Sequence, residues 1–213
     1  KTGYLPIGVD PHPWLSDEIR EIRQQYPDKK ILFNIGRLVS YKGYQYLIEA
    51  MVHLPQEYVL LIGGKGPLRK ELQELIDRLG LQERVKLLGF ISDSLKPAYF
   101  GACDVFCLSS TLKTEAYAIV QVEAMSLGRP IVATEIPGSG VAWVNAHQKS
   151  GLNVPIEDAQ ALAQAIQKIC QDPELWSTYS KGSRQRFFEV FTKDEMINQL
   201  IRTYTELLHP TIP

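Results

Sequence analysis

Six short apolar runs, each followed by a stretch of helical period, constrain this chain more than any other feature of its sequence. The runs are residues 30–34, 58–62, 85–88, 104–108, 130–134 and 151–154. The helical stretches are 43–54, 68–79, 96–101, 116–127, and a run that Asp158 caps and that ends near Cys170. Strands of four to six residues alternating with helices indicate βαβ units and a parallel sheet. The runs are mostly apolar rather than alternating, as expected when helices cover both sheet faces. The sequence predicts an α/β fold, a doubly wound parallel sheet flanked by helices, over residues 29–172.

The ends read differently. Residues 1–28 carry Pro6, Gly8, Pro11 and Pro13 and then a short charged helix over 17–26, the pattern of an interdomain connector. Residues 173–213 are helical, with Phe187, Phe188 and Phe191 and a second amphipathic run over 194–208. They are expected to pack on the domain or against a neighbouring one. A start at Lys1 with no Met and no apolar leader suggests a piece of a longer protein with no signal peptide.

The 213 residues carry 23 Lys+Arg against 24 Asp+Glu, a formal charge of -1, which argues against a nucleic-acid binder relying on a bulk positive field. No run approaches the ~18 apolar residues of a membrane helix, so the expected location is cytoplasmic. Peripheral membrane association of a longer protein stays open. Cys103, Cys107 and Cys170 read as buried small hydrophobes. If 103–107 is a strand, its two cysteines lie on one side but ~13 Å apart, too far for a disulfide. His12, His53, His147 and His209 have no ligand-like spacing, so no metal is expected.

In an open parallel sheet, ligands bind outside the carboxyl ends of the strands. The loops there are 36–43, 63–67, 89–92 and 109–117. Arg37 follows the first strand and Lys42 precedes the next helix. Together they could hold a diphosphate, or they could be ordinary solvated charges. The Gly63-Gly64-Lys65-Gly66 run is a weak signal, and tight-turn geometry is its more natural role. Glu115 and Glu123 are more telling. On one helix from 116 to 127 they would lie ~12 Å apart along the axis and within ~80° of each other. That is about the span from ribose to sugar in a nucleotide diphosphate sugar. The N–H groups of Ala116, Tyr117 and Ala118 would then face the phosphates. Glu123, among Val120, Val122, Ala124 and Met125, would be costly if buried unpaired, and a carboxylate there suits paired hydroxyls.

Several motifs follow in fixed order: Gly-Arg-Leu…Lys-Gly over 36–43, Gly-x-Gly-Pro over 64–67, and Val-Lys-Leu-Leu-Gly-Phe over 85–90. Asp-Val-Phe…Ser-Ser over 104–110, Glu115-x7-Glu123-Ala-Met, and Gly-x-Pro-Ile-Val-Ala-Thr over 128–134 complete the series. From residue 6 to about 170 the chain resembles the C-terminal, donor-binding domain of GT-B glycosyltransferases of the family 4 type. The resemblance implies a retaining, nucleotide-sugar-dependent transferase of polysaccharide or glycolipid biosynthesis that uses a UDP or GDP sugar. It implies no cofactor and no metal. Arg37, Lys42 and Glu115 would be catalytic. Gly36, Phe90, Ile91, Ala116, Tyr117, Ala118, Ile119, Val120 and Glu123 would bind the donor, with Phe90 and Ile91 lining the base pocket. The partner would be the protein's own N-terminal acceptor-binding domain, without which the chain should fold but transfer no sugar. Two departures stand out. The family often has Gly at the position of Ala118, and Asn-Gly-Val-Asp where this chain has Ile7-Gly8-Val9-Asp10. A non-catalytic nucleotide-sugar-binding or assembly module of the same fold is the alternative.

Overall fold

A computed structural model describes residues 5–208; residues 1–4 and 209–213, including His209, lie outside the described residues. After the connector, α1 (Ser16–Gln24) leads into β1 (Lys30–Ile35), a 3-10 turn (Ser40–Lys42) and α2 (Tyr44–His53). β2 (Tyr58–Gly63), α3 (Arg69–Arg78), β3 (Val85–Gly89), α4 (Lys96–Ala102) and β4 (Val105–Leu108) follow. The second half runs through α5 (Ile119–Ser126), β5 (Ile131–Thr134), α6 (Val141–Val144), β6 (Gly151–Val154) and α7 (Ala159–Gln171). It closes with α8 (Pro173–Arg186), a π turn (Phe187–Phe191) and α9 (Lys193–Leu208).

The six strands form one parallel sheet in the order β3-β2-β1-β4-β5-β6. Strand order therefore reverses between β1 and β4, which opens a crevice at their carboxyl ends. Alternate residues of each strand feed two cores. Leu32, Leu60, Ile62, Val105 and Val132 face α2 and α7, whereas Phe33, Leu61, Phe106 and Ile131 face α4 and α5. This two-sided burial is why the strands read as apolar runs. Asp158 caps α7 by accepting from the Ala161 N–H at 2.8 Å. Asp172 caps α8 from the Glu174 and Leu175 N–H groups, each cap being worth about 1 kcal/mol.

One conditional reading and one expectation fail locally. Cys103 is not in a strand: it ends α4 and belongs to one core, while Cys107 on β4 belongs to the other. All three cysteines are free and buried, and burial pushes the Cys103 and Cys170 thiols up to about 12. More consequentially, α5 starts at Ile119, not Ala116. Ala118 is the residue before it and has φ 57, a left-handed conformation in which an α-helix cannot run.

At the ends, α8 docks on the sheet. Trp176 Nε1 donates to the Asp104 carbonyl at 2.8 Å, and Ser183 Oγ to those of Arg129 and Ser150 at 2.8 and 3.0 Å. The Val9 N–H donates to the Phe191 carbonyl at 2.8 Å, tying the connector to the start of the terminal helix. α9 itself buries no residue.

Candidate functional site

The crevice is built by two loops that leave room for backbone only. Gly43, φ +61, opens α2, and a Cβ on it would lie 2.1 Å from the Ser109 carbonyl oxygen. Ser109 Oγ donates to the Lys42 carbonyl at 3.0 Å and the Thr111 N–H to that of Tyr41 at 2.8 Å, stitching the loop after β1 to the loop after β4. Gly64, φ +132, packs so closely on the first loop that its Cβ would lie 1.8 Å from the Gly36 oxygen. The glycine run thus serves close packing and a turn.

This stitching sets Lys42 against Glu115. Their side chains, 12% and 10% exposed, form an ion pair, and Ser110 Oγ donates to the same carboxylate oxygen at 2.8 Å. A buried pair of this kind is stable only while both partners are present. Tyr44 lies beside it. Its hydroxyl has no hydrogen-bond partner among the described residues, and burial, then the Glu115 charge, push its pKa well up. A Cβ on Gly36 would lie 3.0 Å from that hydroxyl and 3.4 Å from Lys42 Cε, so Gly36 is the meeting point of this pair and the adjoining cleft.

The cleft holds about 360 Å³ and is lined by Gly36, Arg37, Gly64, Lys65, Phe90, Ile91, Asp93, Lys96 and Val120 among others. Arg37 is exposed there. Phe90 is 69% exposed, with Lys65 Nζ 5.5 Å from its ring centroid. An open aromatic face beside two cations suits a planar base carrying phosphates. Lys96 Nζ lies 2.7 Å from Asp93 Oδ1 and 3.5 Å from Glu123 Oε1, and His12 Nε2 lies 3.5 Å from that same Oε1. Burial alone pushes the Glu123 carboxyl up, but His12 and Lys96 outweigh it and hold it below the ordinary glutamate range.

Of the residues singled out from sequence, Gly36, Arg37, Phe90, Ile91 and Val120 share the cleft, and Lys42 meets Glu115. Glu123 joins the cleft through Lys96. The two glutamates do not share a helix: Glu115 is in the loop and Glu123 in the second turn of α5. Because α5 begins at Ile119, its leading N–H groups are those of Ile119 and Val120, and the Gln121 N–H already bonds to the Ala118 carbonyl at 2.9 Å. The Ala116 carbonyl accepts from the Gly140 N–H at 2.8 Å. Tyr117 turns away: its ring packs 6.3 Å from Trp143 and 6.1 Å from Phe191, on a separate apolar cavity. Sequence reasoning missed Lys65, Lys96, Asp93, His12, Ser110 and Tyr44. Only the Asp93–Lys96 spacing, three apart at the start of α4, offered a local signal. Among the described residues no cluster of three His, Cys, Asp or Glu could hold a metal ion, and no helix is long and apolar enough to cross a membrane.

Residues 16–186 match the family model described as Glycosyl transferases group 1. The chain is 34% identical over 212 residues to the O-antigen chain mannosyltransferase C of Escherichia coli, covering 98% of this chain and 55% of that protein. It is 32% identical to the alpha-D-kanosaminyltransferase of Streptomyces kanamyceticus, over 88% of this chain and 49% of that one. Among solved structures, Anabaena Alr3699/HepE in complex with UDP superposes with a TM-score of 0.82 at 28% identity, over 90% of this chain and 53% of that one. The chain spans about half the length of the relatives it matches.

Proposed function

From the premise that the chain belongs to the group 1 glycosyl transferases, we propose that it is the donor-binding half of a retaining glycosyltransferase acting on a nucleotide diphosphate sugar. In this reading the bond from the sugar's anomeric carbon to the diphosphate breaks, the acceptor hydroxyl's oxygen bonds to that carbon as its proton passes to the departing diphosphate, and the nucleoside diphosphate leaves. Arg37 and Lys42 take up the charge that develops on the leaving diphosphate, which lowers the barrier without calling on a divalent metal. The N–H groups of Ile119 and Val120 add a positive helix end. Glu115 meets the donor sugar, Glu123 the ribose hydroxyls, and Phe90 with Ile91 the base. Ala116 and Ala118 border the sugar. Tyr117 contributes main chain only, since its ring is committed elsewhere. The acceptor belongs to a further domain of the same protein, in polysaccharide or glycolipid synthesis on the cytoplasmic side.

The observation that carries this reading is the convergence on Gly36, at the sheet's switch point, of the Lys42–Glu115 pair and the cleft holding Arg37 and Phe90. UDP in the Anabaena structure supports a nucleoside diphosphate as ligand. Calorimetric titration with UDP, GDP and ADP in the absence of metal tests it. One nucleotide should bind, and Arg37→Ala should weaken it about 10–100-fold, the value of one charge-assisted contact of ~1.5–3 kcal/mol. A chain that binds none of the three would instead favour the assembly module.

A further inference from the structure

Lys96 stands in the cleft wall and belongs to none of the roles assigned above. Its ammonium lies between the 94%-exposed Asp93 and the 12%-exposed Glu123, so it spans from solvent to a buried carboxylate. Both side chains that reach Glu123, those of Lys96 and His12, reach the same oxygen, Oε1. No hydrogen bond among the described residues occupies Oε2. His12 is itself fixed: its N–H donates to Ser126 Oγ at 3.2 Å and its ring stacks on Phe100, centroids 5.8 Å apart. A carboxylate anchored through one oxygen keeps the other oriented and available as an acceptor. Lys96 also lines the same cleft as Phe90, which the reading above assigns to the base.

We propose that Lys96 is a positioning residue: by holding Oε1 of Glu123 it directs Oε2 to the ribose hydroxyls of the donor nucleotide. This rests on the donor-half reading above. In this role Lys96 acts on Glu123 rather than on the phosphates, which separates it from Arg37 and Lys42. Its charge also keeps a carboxylate in a mostly apolar surround ionised, and an ionised carboxylate accepts two hydroxyl hydrogens where a protonated one accepts fewer.

Two pairs of ligands test the assignment: UDP and GDP, each with its 2′,3′-dideoxy analogue. They are titrated into the wild-type chain, Lys96→Met, Lys96→Arg, Glu123→Gln and the Lys96→Met/Glu123→Gln double variant. Urea unfolding verifies that each variant is folded. The natural nucleotide should bind the wild type about 10-fold more tightly than its dideoxy analogue, and Lys96→Met should erase most of that difference while leaving the analogue's affinity unchanged. Lys96→Arg should retain it. The double variant should be no weaker than Glu123→Gln alone. A Lys96→Met loss that is equal for both members of a pair, or no loss, overturns the positioning role while the donor-half reading stands. Absence of binding of UDP, GDP and ADP to the wild type overturns the donor-half reading, and the positioning role with it.

Discussion

The two edges of the sheet treat polar groups in opposite ways. At the amino edge every buried charge is tied down. Arg23 holds Asp104 by two bonds of 3.0 and 3.1 Å, and Asp104 Oδ2 also accepts the Ile31 N–H at 2.7 Å. Arg84 donates to the carbonyls of Tyr58, Leu54 and Pro55, and Arg129 to those of Leu127 and Cys103. At the carboxyl edge the cations are mostly lysines acting as point charges, Arg37 is exposed, and Asn34 Oδ1, Tyr44 OH and Gln121 Oε1 are buried without hydrogen-bond partners among the described residues. Guanidinium groups bonded to fixed carbonyls serve folding. Unsatisfied buried groups each cost about 1–3 kcal/mol, and the three at this edge mark where stability gives way to binding.

The sharpest way to break this contrast is at Asp104. Asp104→Ala leaves Arg23 and the Ile31 N–H without partners, which should cost about 3 kcal/mol in urea unfolding. Nucleotide affinity of the folded variant should stay within about twofold, because the carboxyl edge keeps all its groups. Equal damage to stability and affinity would show that the edges are not separable. The opposite sign is expected at Tyr44. Tyr44→Phe removes a buried hydroxyl with no hydrogen-bond partner among the described residues, and should stabilise the fold by about 1 kcal/mol in the same assay. Destabilisation would mean that the hydroxyl is partnered in solution.

The same division explains what could be read from sequence. The strands and the doubly wound class were legible because two-sided burial writes itself as apolar runs, with Phe33 and Leu32 serving opposite cores from adjacent positions. The loop cations Arg37 and Lys42 and both glutamates were legible as residue types at strand ends. Their pairings were not. Lys42 and Glu115 lie 73 residues apart, and Lys96 and Glu123 lie 27 apart, so only the reversal of strand order at β1 and β4 brings such partners together. The helix boundary failed for a different reason. Residues 116–118 have helix-compatible side chains, and propensity carries no trace of a left-handed Ala. Tyr117 was misjudged with it, since the turn at Ala118 lets its ring swing to Trp143.

The smallest expected effect, and the finest test of the contrast, is at Ala118 itself. Two helices at the carboxyl edge start from left-handed residues of nearly equal φ, α2 from Gly43 at +61 and α5 from Ala118 at +57. Gly43 cannot carry a methyl, because the Ser109 oxygen would be 2.1 Å away. Ala118 carries one, 6% exposed and packed in the core with Val122 and Ile136. Ala in this conformation costs about 1–2 kcal/mol. Ala118→Gly relieves that but adds about 0.5–1 kcal/mol of backbone entropy and forfeits up to about 0.8 kcal/mol of methyl burial. The contributions nearly cancel, so urea unfolding should move by no more than about 0.5 kcal/mol. A gain well above about 1 kcal/mol would mean that the core does not support the methyl and that strain is stored at the start of α5. A balance near zero means instead that Ala and Gly can exchange there without penalty to the fold, leaving that corner free to be set by the donor proposed above, as the rigid Gly43 corner is not.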